Sequence, residues 1–390
     1  MCPVSAVSLG SAVATILLYG DTVRYPSMRH EVPLEIIDPF LFVARNEHTF
    51  VLSNSLEAER ITKAVPEAEL LVADELGLFE LLHDGVPRDE AELTVAIRAL
   101  RRWGIEQAVV PSDLPVAIAD GIRAAGVEIE VNGPAVERRR RIKSPAELSG
   151  IRRAQDAAEA GMAAAEQLIR EAEPDGEHLR QAGEPLTAER VRAAIRSVCA
   201  AAGCPTPPDI MVVSALSGGG HDPGSGPLPA DLPITVDVWP RDEVSGCWAD
   251  MTRTFVAGRI TEPVAELCAV VLESLEAARS AAGPGITGQG LYELAAEVIE
   301  RAGYPTQRTR EPGQRLTHGF YFSLGHGVGL EVHEPPLLGL AGTDPLLAGD
   351  VIAIEPGVEG VDGIGGVRFE DLLLITDEGC ETLTRYPYDL

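Results

Sequence analysis

Positive charge is scarce in this sequence: 32 Lys and Arg stand against 60 acidic residues, a net charge of −28. Nucleic acid and anionic membrane both need a basic footprint, which argues against either as a main partner. The acidity is read as a solubility device. Long apolar runs are missing too; none reaches the ~18 residues of a membrane span. The start, Met1 to Leu18, is fairly apolar but has no basic n-region. It reads as a loose end leading into a strand at 15–19, not as a signal peptide. The six cysteines (Cys2, Cys199, Cys204, Cys247, Cys268 and Cys380) include no C-x-x-C pair. Scattered thiols of this kind predict reduced, buried small residues in a cytoplasmic protein.

What remains is 390 residues, 45% of them apolar, enough to bury a sizeable core spread over two or three domains. The first third alternates short apolar runs with amphipathic stretches. Strands are expected at 40–43 and 49–53 around Asn46-Glu47, and at 70–72, 107–110 and 127–131, with helices at 90–103 and 115–125. That is an α/β pattern without metal or triad spacing, so it reads as a structural or substrate-lid domain. The basic stretch Glu137 to Lys143 reads as a solvated link. It runs into Ser144-Pro145-Ala146-Glu147, a capping box with Pro at the first helical position. The boundary is therefore set at Lys143, giving domains 1–143 and 144–390. The second domain predicts helices at 187–202, from Thr261 to about Gly283, and at 289–302. Strands are expected at 210–214, 233–239, 249–256, 351–355 and 366–375. Segregated helices and strands make its class α+β.

Chemistry gathers in four segments of that domain. In Pro233-Ile-Thr-Val-Asp237-Val-Trp239, Ile234, Val236 and Val238 share one strand face, and Thr235 and Asp237 the other. Thirteen residues on, Asp250 opens Asp-Met-Thr-Arg-Thr beyond a turn-like Arg241–Gly246. A hairpin would set both acids on adjacent strands; alone, either reads equally well as a turn or edge acid. Gly325-His326-Gly-Val-Gly-Leu-Glu-Val-His333-Glu334 puts two histidines in a glycine-rich stretch, where backbone can approach a ligand closely. Glu355 ends a very apolar strand before Pro356-Gly357. In Val-Arg368-Phe-Glu370-Asp371, Arg368 and Glu370 point one way and Asp371 the other. Gathering Asp237, Asp250, Glu355 and Glu370 costs about 4 kcal/mol per like-charge pair at ~4 Å and an effective dielectric of 20. Two dications would cancel the four charges, and oxygen ligands with one imidazole suit Mn²⁺, Co²⁺ or Zn²⁺. Such a pair of ions would hold a bridging hydroxide that attacks a polarised carbonyl.

Together these motifs resemble the superfamily of methionine aminopeptidase, prolidase, aminopeptidase P and creatinase, from Lys143 to the C-terminus. The resemblance implies a "pita-bread" catalytic domain. Its ligand order Asp, Asp, His, Glu, Glu falls on Asp237, Asp250, His326, Glu355 and Glu370. A smaller creatinase/prolidase-type domain in front favours the prolidase and aminopeptidase P branch. The family implies two divalent metals, Mn²⁺ foremost with Co²⁺ or Zn²⁺ as alternatives, a homodimer, and a small proline-containing peptide as substrate. It also draws in His221, within Ser217-Gly-Gly-Gly-His221-Asp222, as a substrate-facing histidine; by composition that stretch is a flexible loop. Catalytic roles then fall to His221, His333, Glu355 and Arg368.

Three departures stand out. The aspartates lie thirteen apart where the family usually has eleven, which keeps the even strand parity. Phe322 stands where members often have histidine, and Trp239-Pro240-Arg241 differs from the common glycine-containing version. All five ligands are kept, whereas creatinase-like members that work without metal have lost some. The expected activity is hydrolysis of a peptide bond at proline by an Xaa-Pro aminopeptidase or dipeptidase. The alternatives are a C–N hydrolase or lyase acting on a small non-peptide metabolite, and a non-catalytic peptide-binding scaffold.

Overall fold

A computed structural model describes residues 14–215 and 222–390, and the chain divides between Arg140 and Arg141 into two compact units. The first unit is a six-stranded sheet in the order Glu69–Val72, His48–Ser53, Phe40–Arg45, Ile16–Gly20, Gln107–Val110, Glu128–Val131. Phe40–Arg45 is antiparallel to both neighbours, and the outer pairings are parallel. The tight reversal at Asn46 uses a left-handed φ of 55°, a conformation asparagine tolerates well. Alternation along the strands feeds two cores. Leu17, Leu41, Val43 and Leu52 pack with the helix Arg88–Arg102, while Leu18, Phe42 and Val51 fill the opposite face.

The second unit starts with the 26-residue helix Pro145–Arg170. Its capping box forms as expected: the Ser144 hydroxyl accepts from the Glu147 amide, and the Glu147 carboxylate accepts from the Ser144 amide. This helix and Ala188–Ala201 cover one face of a three-stranded antiparallel sheet, Met211–Ser214, Pro233–Val238 and Met251–Val256. A second antiparallel sheet runs Glu334–Leu338, Gly325–Gly327, Val351–Ile354, Asp371–Ile375, Cys380–Thr382. It shares a core with the helices Glu262–Ala281 and Gly288–Arg301. The unit is thus α+β, as the segregated pattern predicts. No helix among the described residues is long and apolar enough to cross a membrane.

Two expectations need correction. The single strand expected at 366–375 is two strands, Gly365–Arg368 and Asp371–Ile375. The first pairs with Gly357–Val361 in a separate ribbon, the second with Val351–Ile354 in the sheet. The chain changes partner at Glu370, whose amide donates to the Thr252 carbonyl at 3.1 Å rather than to either ladder. The basic stretch before Ser144 is not a solvated link either. Residues 133–141 are helical, and Arg140, Arg141 and Lys143 are buried. Arg141 forks onto Asp350 (Nε–Oδ1 2.9 Å), and Lys143 pairs with Glu334, both side chains 2% exposed. A run of like charges is solvated only when partners are missing; here Arg141 and Lys143 each find a carboxylate from distant sequence.

Among the thiols, Cys199, Cys204, Cys247 and Cys268 are buried and free, and Cys380 is half-buried; Cys2 and the start of the chain lie outside the described residues. Replacing Lys143 by Ala strands a buried Glu334 and should cost about 3–5 kcal/mol in urea unfolding. Lys63→Ala, at an exposed pair, should cost less than about 0.5 kcal/mol. Equal small losses at both positions would contradict the buried pair.

Candidate metal centre

The acids of this site stand at strand ends and partner changes, where side chains are fixed but carboxylates are free of the ladder. Asp237 is on the central strand of the three-stranded sheet, directly opposite Thr252. Asp250 immediately precedes Met251–Val256, two residues before Thr252 and so on the same face. The thirteen-residue spacing therefore keeps both aspartates on one side, and the apolar Ile234, Val236 and Val238 fill the core behind them. The longer hairpin is held by Asp242, which takes the Arg153 guanidinium at 2.9 and 2.8 Å and the Ser245 amide at 2.7 Å.

Glu355 and Glu370 sit at two equivalent crossings. Each lies between a strand of the five-stranded sheet and a strand of the ribbon: Ile354 pairs with Asp371 on one side, Gly357 with Arg368 on the other. His326 lies mid-sheet, flanked by glycines for a steric reason. A Cβ at Gly325 would fall 1.9 Å from the Ala353 carbonyl oxygen, and one at Gly327 2.3 Å from that of Pro335.

Threonines that the sequence reading passed over set the register. Thr252 Oγ1 donates to Glu370 Oε2 at 2.9 Å, and Thr254 Oγ1 donates to the Arg368 carbonyl at 2.9 Å. On the opposite face of the same strand, Arg253 is fully buried. It donates to the carbonyls of Thr252, Glu370, Tyr386 and Pro387 and to Asp371 Oδ1, under the Tyr388 ring. The Asp-Met-Thr-Arg-Thr motif thus carries one acid and three fasteners. Alternation along the strand was the signal that could have found them.

The result is a convergence. Three overlapping groups can hold a metal ion, with ligand atoms within 4.8 Å of one another: Asp250, His326 and His333; His326, Glu355 and Glu370; Asp237, Asp250 and Glu370. Asp237, Asp250, His326 and Glu370 are buried, at 8, 5, 7 and 1% exposure. His326 Nδ1 faces the Gly327 carbonyl at 3.1 Å, which places the proton there. Nε2 is left with its lone pair 3.7 Å from Asp250 and 3.5 Å from Glu355. Burial and the neighbouring His333 ring push the His326 pKa down to about 3, so the ring is neutral near pH 7. The two rings meet edge-on, centroids 4.1 Å apart, and His333 is exposed. Arg368 pairs with Asp237 and lies 3.7 Å from Glu355; its ion pairs go to these acids rather than to Glu370. His221 lies outside the described residues.

One guanidinium does not balance four carboxylates. Burial, then repulsion from Glu370, Asp237 and Glu355, holds Asp250 well above the usual carboxyl range. Glu370 is raised by burial and by Glu355 and Asp237. Burial lifts Glu355 to about 7 against the pull of Arg368, with Asp237 adding repulsion. Asp237 Oδ1, Asp250 Oδ1 and Glu370 Oε1 are buried without a hydrogen-bond partner among the described residues. Carboxylate oxygens that no donor reaches, beside a neutral imidazole, fit hard divalent cations.

A group whose folded pKa exceeds its unfolded value contributes stability below the unfolded pKa and loses it as pH rises through the folded one. For Glu355 that window runs from 4.5 to about 7. In chelator-treated protein, Glu355→Gln should therefore gain on the wild type across this range, by on the order of 2–3 kcal/mol. Thermal melts at stepped pH read the difference; a constant offset would contradict it.

Comparisons with known proteins agree with this geometry. Residues 149–377 match the model of metallopeptidase family M24. The Xaa-Pro dipeptidase of Pyrococcus furiosus is 41% identical over 142 residues, 36% of this chain. That stretch spans only 37% of the relative's own length. The prolidase from Pyrococcus horikoshii OT3 superposes with a TM-score of 0.72 at 25% identity, covering 96% of this chain and 94% of that one. The X-Pro aminopeptidase from Thermotoga maritima MSB8 gives a TM-score of 0.75 at 21% identity, covering 97% of both chains. The fold is that of prolidases and aminopeptidase P, with a smaller domain before the catalytic one. Since the family match extends over more than half of the sequence, the chain belongs to metallopeptidase family M24.

Proposed function

We propose that this chain is a dinuclear-metal peptidase that hydrolyses a peptide bond at proline, with Asp237, Asp250, His326, Glu355 and Glu370 as ligands. The observation that carries the reading is the set of buried carboxylate oxygens without donors, gathered around one neutral imidazole. Relatives named Xaa-Pro dipeptidase and prolidase supply the substrate class. Domains 1–143 and 144–390, a cytoplasmic location and a homodimer belong to the same reading.

When bound, two divalent ions (Mn²⁺ first, Co²⁺ or Zn²⁺ otherwise) polarise the scissile carbonyl and lower the pKa of the attacking water. Glu355 takes the proton of that water and passes it toward the leaving nitrogen. His333, exposed beside His326, donates a hydrogen bond to the carbonyl as it becomes an oxyanion. His221 is assigned the same task. Arg368 fixes Asp237 and offsets part of the site's negative charge.

A second reading, a C–N hydrolase or lyase for a small non-peptide metabolite, draws on Phe322. Its ring packs edge-on against Phe320 and Tyr321, and a Cβ at Gly357 would lie 3.0 Å from its tip. An apolar ring thus stands where the resemblance leads one to expect a histidine.

The deciding assay is a panel of Xaa-Pro dipeptides, tripeptides and longer peptides, with small amides alongside, run with Mn²⁺, Co²⁺ and Zn²⁺. Proline peptides should turn over, chelation should abolish turnover, and the length profile should separate dipeptidase from aminopeptidase. Turnover of amides alone would favour the second reading. No turnover of any proline peptide by fully metallated protein would overturn the first.

A further inference from the structure

Glu359 is a half-buried acid near the site that the proposed mechanism does not use. It lies on Gly357–Val361, which pairs with Gly365–Arg368. Val358 and Val367 point into the core, so Arg368 and Gly366 line the other face of the ribbon. The Glu359 carboxylate lies on that face: a Cβ at Gly366 would fall 1.9 Å from its Oε2. Its backbone is fixed from both sides by Gly319, at 3.1 and 2.9 Å. Glycine at 366 thus makes room for the carboxylate beside Arg368.

That carboxylate has no hydrogen bond and no ion pair among the described residues. Arg368, whose charge Glu359 feels, makes its ion pairs with Asp237 and Glu355 instead. Burial raises the Glu359 pKa, with the Arg368 charge pulling the other way. The Tyr321 phenol, also raised by burial, feels the Glu359 charge in turn. A carboxylate held on a fixed backbone within reach of the Arg368 charge, partly desolvated and without a donor among the described residues, is set to receive a positive group from outside the fold.

We propose that Glu359 is a specificity-determining residue that receives a cationic substrate side chain, so that proline peptides carrying Lys or Arg beside the scissile bond are preferred. The inference rests on the proline-peptidase reading above and adds the charge of the substrate to it. Substrate then lies across the Gly357–Val361 and Gly365–Arg368 ribbon with its cation over Gly366.

The test compares kcat/KM for Lys-Pro and Leu-Pro peptides of equal length on the Mn²⁺-loaded full chain. The wild type should favour the cationic peptide by about ten-fold, mainly through KM. In Glu359→Gln the ratio should fall to near one, and in Glu359→Lys it should turn toward Glu-Pro. Any general loss of activity drops out of a ratio. Raising the salt should also shrink the wild-type ratio, a readout that needs no variant. A wild-type ratio near one, or a ratio that Glu359→Gln leaves intact, would overturn the inference while leaving the peptidase reading standing. Absence of turnover with either peptide would overturn both.

Discussion

Four carboxylates brought within reach of one another in a buried pocket repel, and every nearby element of the catalytic unit bears on how that repulsion is held in check. Asp237, Asp250 and Glu370 are nearly inaccessible, and each keeps one oxygen without a donor. Arg368 supplies one positive charge; the rest of the compensation is left to cations. Such a site cannot be built on flexible loops, because the acids would swing apart. Instead the acids are placed by strand ladders and by two crossings at which the chain moves from one sheet to another.

The supports around the acids follow from that demand. Thr252 and Thr254, alternating with the core residues Met251 and Phe255, tie the three-stranded sheet to Glu370 and Arg368. Arg253 binds the same crossing from behind and ties it to the C-terminal segment. On the strand paired with that of His326, Glu334 forms a buried pair with Lys143 over Gly329, where a Cβ would lie 2.6 Å from Glu334 and 2.9 Å from Lys143. The segment that carries His333 is thereby fastened to the start of the long helix. Charge is used twice in this unit: paired inside the fold for rigidity, and left unbalanced at the centre for chemistry.

Much of this was legible in the sequence. Period-two alternation around Asp237 put the acid opposite a β-branched core face, and Gly325 and Gly327 marked His326 as a place of close backbone approach. The capping box at Ser144 located the start of the long helix. The rest was hidden because it depends on partners far away in sequence. The stretch 137–143 reads as exposed charge until Asp350 and Glu334 are seen to meet it. The segment 366–375 reads as one strand because both halves alternate correctly; only the Glu370 amide, drawn to Thr252, reveals the change of partner. Thr252 and Thr254 look like ordinary strand residues, and Glu359 like an ordinary surface acid, until the opposite side of each contact is placed.

The central claim is that this cluster exists to hold two cations, and calorimetric titration of chelator-treated protein with Mn²⁺ tests it most directly. The account predicts saturation at two ions per chain, with affinity falling as the pH is lowered and protons reclaim the carboxylates. Saturation at no ion, or weak binding without a defined stoichiometry, would contradict it.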